Sequence, residues 1–134
     1  MEQSRVVVAA SNKAGLEFVK LLLHQKIPVA ALTNNKKEEQ LLREMGVQDI
    51  LHVRTTRGIA CGMPDYPIRQ VLIFEASLPL SCQYLQLVSQ WSCQQVTVVA
   101  SVWHPEAIYK KLGATYVIYS RTGNVVFLLR QMRE

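Results

Sequence analysis

An open α/β sheet with helices on both faces is the fold class this sequence predicts, and three observations carry the prediction. Short apolar runs rich in β-branched residues alternate with segments of helical period over the first fifty residues. Two further apolar runs follow an irregular crossover, and that order is the signature of a mainly parallel, doubly wound sheet. The chain has 134 residues, 49% of them hydrophobic and 19% charged, which suffices for one core and is too short for two ordinary domains. One domain spanning 1–134 is expected, with a three-layer α/β/α architecture and two-domain enzymes excluded.

The first strand is Arg5–Ala10, an apolar run suited to burial on both faces. Ser11-Asn12-Lys13 is a polar turn, and Leu16, Val19, Leu22 and Leu23 recur at helical spacing from Gly15 to Gln25, so Ser11 or Asn12 caps a helix. Ile27–Thr33 repeats the strand signal. Asn34-Asn35 forms a turn, and Lys36–Met45 has helix-forming composition closed by Gly46. Asp49–Val53 is a third strand. Between Thr55 and Arg69, Gly58, Gly62, Pro64 and Pro67 disfavour a long helix, so this crossover is loop-rich.

Gln70–Ala76 is the fourth strand. Ser77 or Ser81 caps a helix running to about Cys93, with Tyr84, Leu85, Val88 and Trp91 as its inward stripe. Val96–Val102 is the fifth strand, and His104-Pro105-Glu106 begins a short helix with Ile108 and Leu112 inward and Gly113 at its end. Thr115–Tyr119 and Asn124–Leu129 read as strands joined by the turn Ser120-Arg121-Thr122-Gly123, which predicts a carboxyl-terminal antiparallel hairpin. The expected sheet is of the Rossmann type, order 3-2-1-4-5, extended by that hairpin.

Composition excludes several function classes. No apolar run approaches the ~20 residues that span a bilayer, and the amino terminus opens on polar residues, so a cytoplasmic protein is expected. Three cysteines, Cys61, Cys82 and Cys93, without C-x-x-C spacing argue against a disulfide framework or a zinc site and for free thiols. The net charge is +5, but only one basic and two acidic residues fall between 58 and 103, so the middle of the chain is core or self-association surface. Neither Lys36-Lys37 nor Lys110-Lys111 forms the basic stripe with interleaved aromatics that nucleic acid requires. Paired acids after the first strand, as in phosphoacceptor receivers, and the Gly-x-x-x-x-Gly-Lys of nucleoside triphosphatases are absent.

A strand running directly into a helix aims backbone N–H groups and the positive end of the helix dipole at its carboxyl end, where anions bind. Here that segment is Ala9-Ala10-Ser11-Asn12-Lys13-Ala14-Gly15. It resembles the Gly-x-x-Gly-x-x-Gly turn of extended short-chain dehydrogenases and NmrA-like NAD(P)-binding proteins, with Ala9, Asn12 and Gly15 in the glycine places. Leu32–Val47 is similar to the strand, Asn-rich turn and helix ending in Gly-Val that follow in NmrA-like chains. The resemblance covers residues 5 to about 102 and describes a degenerate, truncated core. It implies a small NAD(P)-binding-like module, non-catalytic or regulatory. Ser11, Asn12, Lys13 and Gly15 would lie at the phosphates, with Gly15 packed against the strand and Asn12 in a left-handed conformation. Asn34 and Lys36 would lie near the ribose, and Ser77 near the crevice. No acid stands at the end of the second strand before Glu38, so the resemblance implies NADP rather than NAD. No tyrosine is followed by lysine four positions later, so the short-chain dehydrogenase acid–base pair is missing.

Other candidates have ordinary explanations beside functional ones. Glu75 at the end of the fourth strand suits acid–base work if desolvated, or a pairing with a helix terminus or a lysine. Ser101 and His104 follow the fifth strand, where hydroxyl or imidazole could reach a ligand or cap the next helix. Cys61 is an accessible loop thiol, and core packing accounts for Trp91 and Trp103. The competing function is a homo-oligomeric interaction domain that keeps the fold without nucleotide, pairing edge to edge through Val125–Leu129.

Overall fold

A computed structural model describes residues 4–53, 64–75, 77–91, 95–100, 106–120, 125, 127 and 128. Six strands and four helices alternate: β1 (Arg5–Ala10), α1 (Lys13–His24), β2 (Val29–Thr33), α2 (Lys36–Met45), β3 (Asp49–His52), β4 (Ile68–Phe74), α3 (Leu78–Val88), β5 (Val96–Ala100), α4 (Glu106–Lys111) and β6 (Tyr116–Tyr119). The sheet order is β3-β2-β1-β4-β5-β6, and every neighbouring pair is parallel. The order 3-2-1-4-5 read from the sequence is therefore present, with β1 at its centre.

The predicted antiparallel hairpin is not. β6 continues the parallel sheet, its Val117 paired with Val98 and its Tyr119 with Ala100. The chain leaves β5 through α4 and returns in the same direction, as a crossover helix requires. The expected final strand is also corrected where it is described: Leu128 is helical and its N–H donates to the Val125 carbonyl at 2.9 Å. Val125 and Leu128, three apart, both turn into the core while Phe127 is 59% exposed, a helical rather than an alternating pattern.

Alternation within the strands divides the core into two layers. Val6, Val8 and Ala10 face α1 and α2 with Phe18, Val19, Leu22, Leu42, Leu72 and Phe74. Val7, Ala9, Ile73 and Val98 face the opposite layer, built on Tyr84, Leu85, Val88 and Trp91 of and beside α3 and on Tyr109 of α4. The α3 stripe is as predicted. In α4 the frame differs: Ile108 is exposed, and Tyr109 is the fully buried residue, with Leu112 partly buried behind it. A phenol that can bury its ring and still satisfy its hydroxyl displaces the isoleucine. Arg121, Thr122 and Gly123 of the predicted turn, most of the crossover loop with Cys61, and Ser101, Trp103, His104 and Cys93 lie outside the described residues.

Candidate functional site

β1 and β4 are adjacent and parallel, with Ala10 beside Phe74 at their carboxyl ends. From there the chain diverges, β1 into α1 on one face and β4 into α3 on the other. Such a junction leaves a crevice beyond the strand ends, the place where open α/β sheets take ligands.

Gly15 seats α1 on this junction. A Cβ at this position would stand 2.8 Å from the Ala10 Cα and 3.0 Å from the Phe74 Cγ, so only glycine permits the approach. This is the packing role the sequence assigns to it. Phe18, one turn later, holds the same contact with its ring 5.6 Å from that of Phe74.

Asn12 departs from expectation. Its backbone is extended, with φ −139° and ψ 175°, and is not left-handed. It is the N-cap of α1: its Oδ1 accepts the Gly15 N–H at 2.9 Å, and its Nδ2 donates to the Glu75 carbonyl at 2.9 Å. A side chain reaching across the strand junction explains why the left-handed turn is unnecessary. Lys13 follows on the first helical residue, exposed, where a cation opposes the helix dipole unless an anion is shared. Ser11 is half-buried.

At the end of β2, the Thr33 hydroxyl accepts from the Asn35 N–H at 3.3 Å, and Asn35 caps α2 by accepting the Glu38 N–H at 2.7 Å. Asn34 accepts from the Asn35 side chain at 3.3 Å, and Lys36 is exposed. Glu38 turns back toward the strand end, its Oε1 buried with no partner among the described residues. Burial pushes its carboxyl above the usual carboxylate range, against hydrogen bonds from Thr33 and Asn35 that pull it down.

Two phenols at the site, Tyr84 and Tyr109, have no warning in the linear motifs. Tyr84 of α3 is 1% exposed, and its hydroxyl is buried without a well-formed hydrogen bond. Burial raises this phenol strongly, the Glu38 charge adds to the rise, and the neighbouring Ser11 hydroxyl opposes it. Glu75 is 5% exposed and accepts a hydrogen bond from Tyr109 of α4. Burial, then the hydrogen bond to Glu75, raises the Tyr109 phenol. Ser81, buried on the same face of α3 as Tyr84, lies beside Tyr109. The available signal was a tyrosine inside an apolar stripe, since a buried phenol needs a polar neighbour. Ser77 reaches the crevice end of β4 but spends its hydroxyl capping α3, accepting from the Leu80 N–H at 3.2 Å. Ser11, Asn12, Lys13 and Gly15 are thus brought together on one turn, with Glu75 and Ser77 beside them and Asn34 and Lys36 at the next strand end. Among the described residues there is no cluster of histidine, cysteine and carboxylates fit to hold a metal, and no helix long and apolar enough to cross a membrane. Cys82 is half-buried and free, its thiol pushed up by burial.

No family model and no curated protein matches the chain. Solved structures do. The TrkA-N domain of the inner membrane protein YbaL from Escherichia coli is 13% identical, with a TM-score of 0.64, over 98% of this chain and 97% of that one. The NAD(P)-binding domain of an exopolyphosphatase-related protein from Archaeoglobus fulgidus is 17% identical, with a TM-score of 0.65, over 97% of each chain. Likeness at this level is one of fold, and the chain accordingly has the Rossmann-like fold found in NAD(P)-binding domains.

Proposed function

We propose that this chain is a small dinucleotide-binding module that serves a regulatory or sensing role rather than catalysing a reaction. The observation that carries the reading is the seating of α1 on the β1–β4 junction by Gly15, which leaves the Lys13 and Ala14 amides and the Lys13 side chain at the crevice. Ser11 and Lys13 would meet the phosphates, Asn34 and Lys36 would lie toward the ribose, and Ser77 would border the crevice. The NmrA-like resemblance supports the same placement. Non-catalysis is supported by Glu75 and Tyr109, the strongest acid–base candidates, being buried against one another.

Whereas the resemblance implies NADP, the end of β2 supports the opposite order of preference in our reading. Glu38 turns inward with an unpaired oxygen, whereas Lys36 is exposed, so the strand end suits ribose hydroxyls better than a 2′-phosphate. We therefore take NAD ahead of NADP. A thermal-shift series with NAD+, NADH, NADP+, NADPH and ADP-ribose tests the reading. Ligand at 100 times its Kd stabilises by about 2.7 kcal/mol, and the absence of a shift with all five defeats the proposal.

A second reading, self-association without nucleotide, is favoured by a different observation. Tyr116 and Tyr119 on β6 and Phe127 are exposed, and Tyr116 and Phe127, with Val117, Ile118 and Leu128, line a groove of about 640 Å³. Light scattering across a concentration series distinguishes the two.

A further inference from the structure

We propose that Asn12 determines which ligands the crevice accepts: its side-chain amide occupies the helix donor that a phosphate would take, so an oligophosphate binds only by displacing it. The inference deepens the dinucleotide reading and rests on it.

The first intrahelical bond of α1 runs from the Leu16 N–H to the Asn12 carbonyl at 3.1 Å, so the N–H groups of Lys13, Ala14 and Gly15 are the donors outside the helical ladder. Asn12 Oδ1 claims that of Gly15 at 2.9 Å. An asparagine cap held at one end would swing aside readily. This one is held at both, because its Nδ2 donates to the Glu75 carbonyl at 2.9 Å on the neighbouring strand. Glu75 is itself a fixed anchor: its N–H donates to the Val99 carbonyl at 2.9 Å, and its carboxylate accepts from Tyr109. Displacing the amide therefore breaks two hydrogen bonds, neither of which can follow the side chain as it moves.

An independent observation marks the same place as one for a ligand. The Tyr84 hydroxyl is buried without a well-formed hydrogen bond and lies beside Ser11, the residue preceding Asn12. A buried hydroxyl in this condition is uncommon and is relieved by an acceptor placed near it. The crevice thus offers Tyr84, the Lys13 and Ala14 amides and the Lys13 side chain, with the Gly15 amide pre-empted. That set seats one phosphate over the first two amides, and the second phosphate of a dinucleotide reaches the third only when the Asn12 side chain moves aside.

The test is calorimetric titration of the full chain and two variants with NAD+, ADP-ribose and adenosine. Asn12→Ser keeps a side-chain cap on Gly15 but is too short to reach Glu75; Asn12→Gly removes both contacts while remaining an acceptable cap. Loss of the strap should tighten NAD+ and ADP-ribose about tenfold in Asn12→Gly, with Asn12→Ser between it and the parent and adenosine unaffected. Binding that appears only in the variants also supports the inference. NAD+ binding that is measurable in the parent and equal or weaker in both folded variants overturns the role of Asn12 and leaves the dinucleotide reading intact. No binding of NAD+ or ADP-ribose by any of the three overturns that reading, and this inference with it.

Discussion

Replacing Gly15 with alanine probes the contact on which the crevice is built. In an ordinary helix this change stabilises, by about 0.5–1 kcal/mol, because alanine has less backbone freedom to lose. Here the added Cβ would lie 2.8 Å from the Ala10 Cα and 3.0 and 3.1 Å from the Phe74 Cγ and Cβ. The shortest of these is to backbone in the central strand, so no side-chain rotation relieves it. Helix α1 must lift off the sheet, and overpacking of this kind costs roughly 1–3 kcal/mol. The net expectation for Gly15→Ala is a loss of about 1–2 kcal/mol in urea unfolding at unchanged m-value, or roughly 3–8 °C in Tm for a domain of this size. Lifting the helix also moves its first-turn amides away from the strand ends, so any nucleotide-induced shift should shrink with the stability. A variant as stable as the parent, or more stable, would show that α1 is not pressed on Ala10 and that the crevice geometry derived from it is wrong.

Other outcomes follow from the same contacts. Tyr109→Phe removes a hydrogen bond to a carboxylate that is 5% exposed and should destabilise by about 1–3 kcal/mol; a loss below 0.5 kcal/mol would mean the pair is not formed. Asn35→Ala deletes the α2 cap and should lower stability by about 1 kcal/mol in urea titration, whereas Asn35→Asp should leave it nearly unchanged. Tyr116→Ser, on an edge strand and 53% exposed, should change Tm little, and if the β6 edge mediates self-association it should abolish any dimer seen by light scattering.

Much of the fold was legible because the signals for it are local. β-branched runs mark strands buried on both faces, and the Tyr84, Leu85, Val88, Trp91 stripe is fixed by helical period alone. Gly15 was legible too, since helix-to-strand contact at a strand–turn–helix junction calls for a missing Cβ. The errors arise where two local signals compete. Val125, Val126 and Phe127 have the composition of a strand and follow Ser-Arg-Thr-Gly, a turn-forming sequence, yet Val125 and Leu128 bury at a spacing of three. Composition outvoted period in that segment. In α4, hydrophobicity ranks Ile108 above Tyr109, but only the phenol can reach Glu75 while filling the layer beneath the helix. The site was legible only as a chain segment. Glu38, Tyr84 and Glu75 approach it from three different elements, and no spacing in the sequence records which of their polar atoms turn inward.

Glu38 offers a way to see that inward turn without a ligand. Because burial raises its carboxyl above the ordinary 4.5, the folded chain holds this proton to higher pH than the unfolded chain does. As pH rises past the unfolded value, the unfolded state releases its proton first and gains free energy that the folded state does not yet share. The contribution of Glu38 to stability therefore falls across this window and levels off once pH exceeds the raised value. Glu38→Gln has no such proton, so its stability relative to the parent should improve as pH rises above the ordinary carboxylate value of 4.5. Glu39, half-buried and lowered first by its hydrogen bond to Arg43 and then by that to His52, titrates in both proteins and cancels from the difference. A difference that is flat across the window would mean that Glu38 stands in water, leaving Lys36 as the charged group that governs the strand end. A nucleotide whose ribose hydroxyls donate to Glu38 should then reverse the slope, since a carboxylate given donors is held ionised. The same titration repeated at saturating NAD+ thus connects the buried acid to the ligand it is proposed to hold.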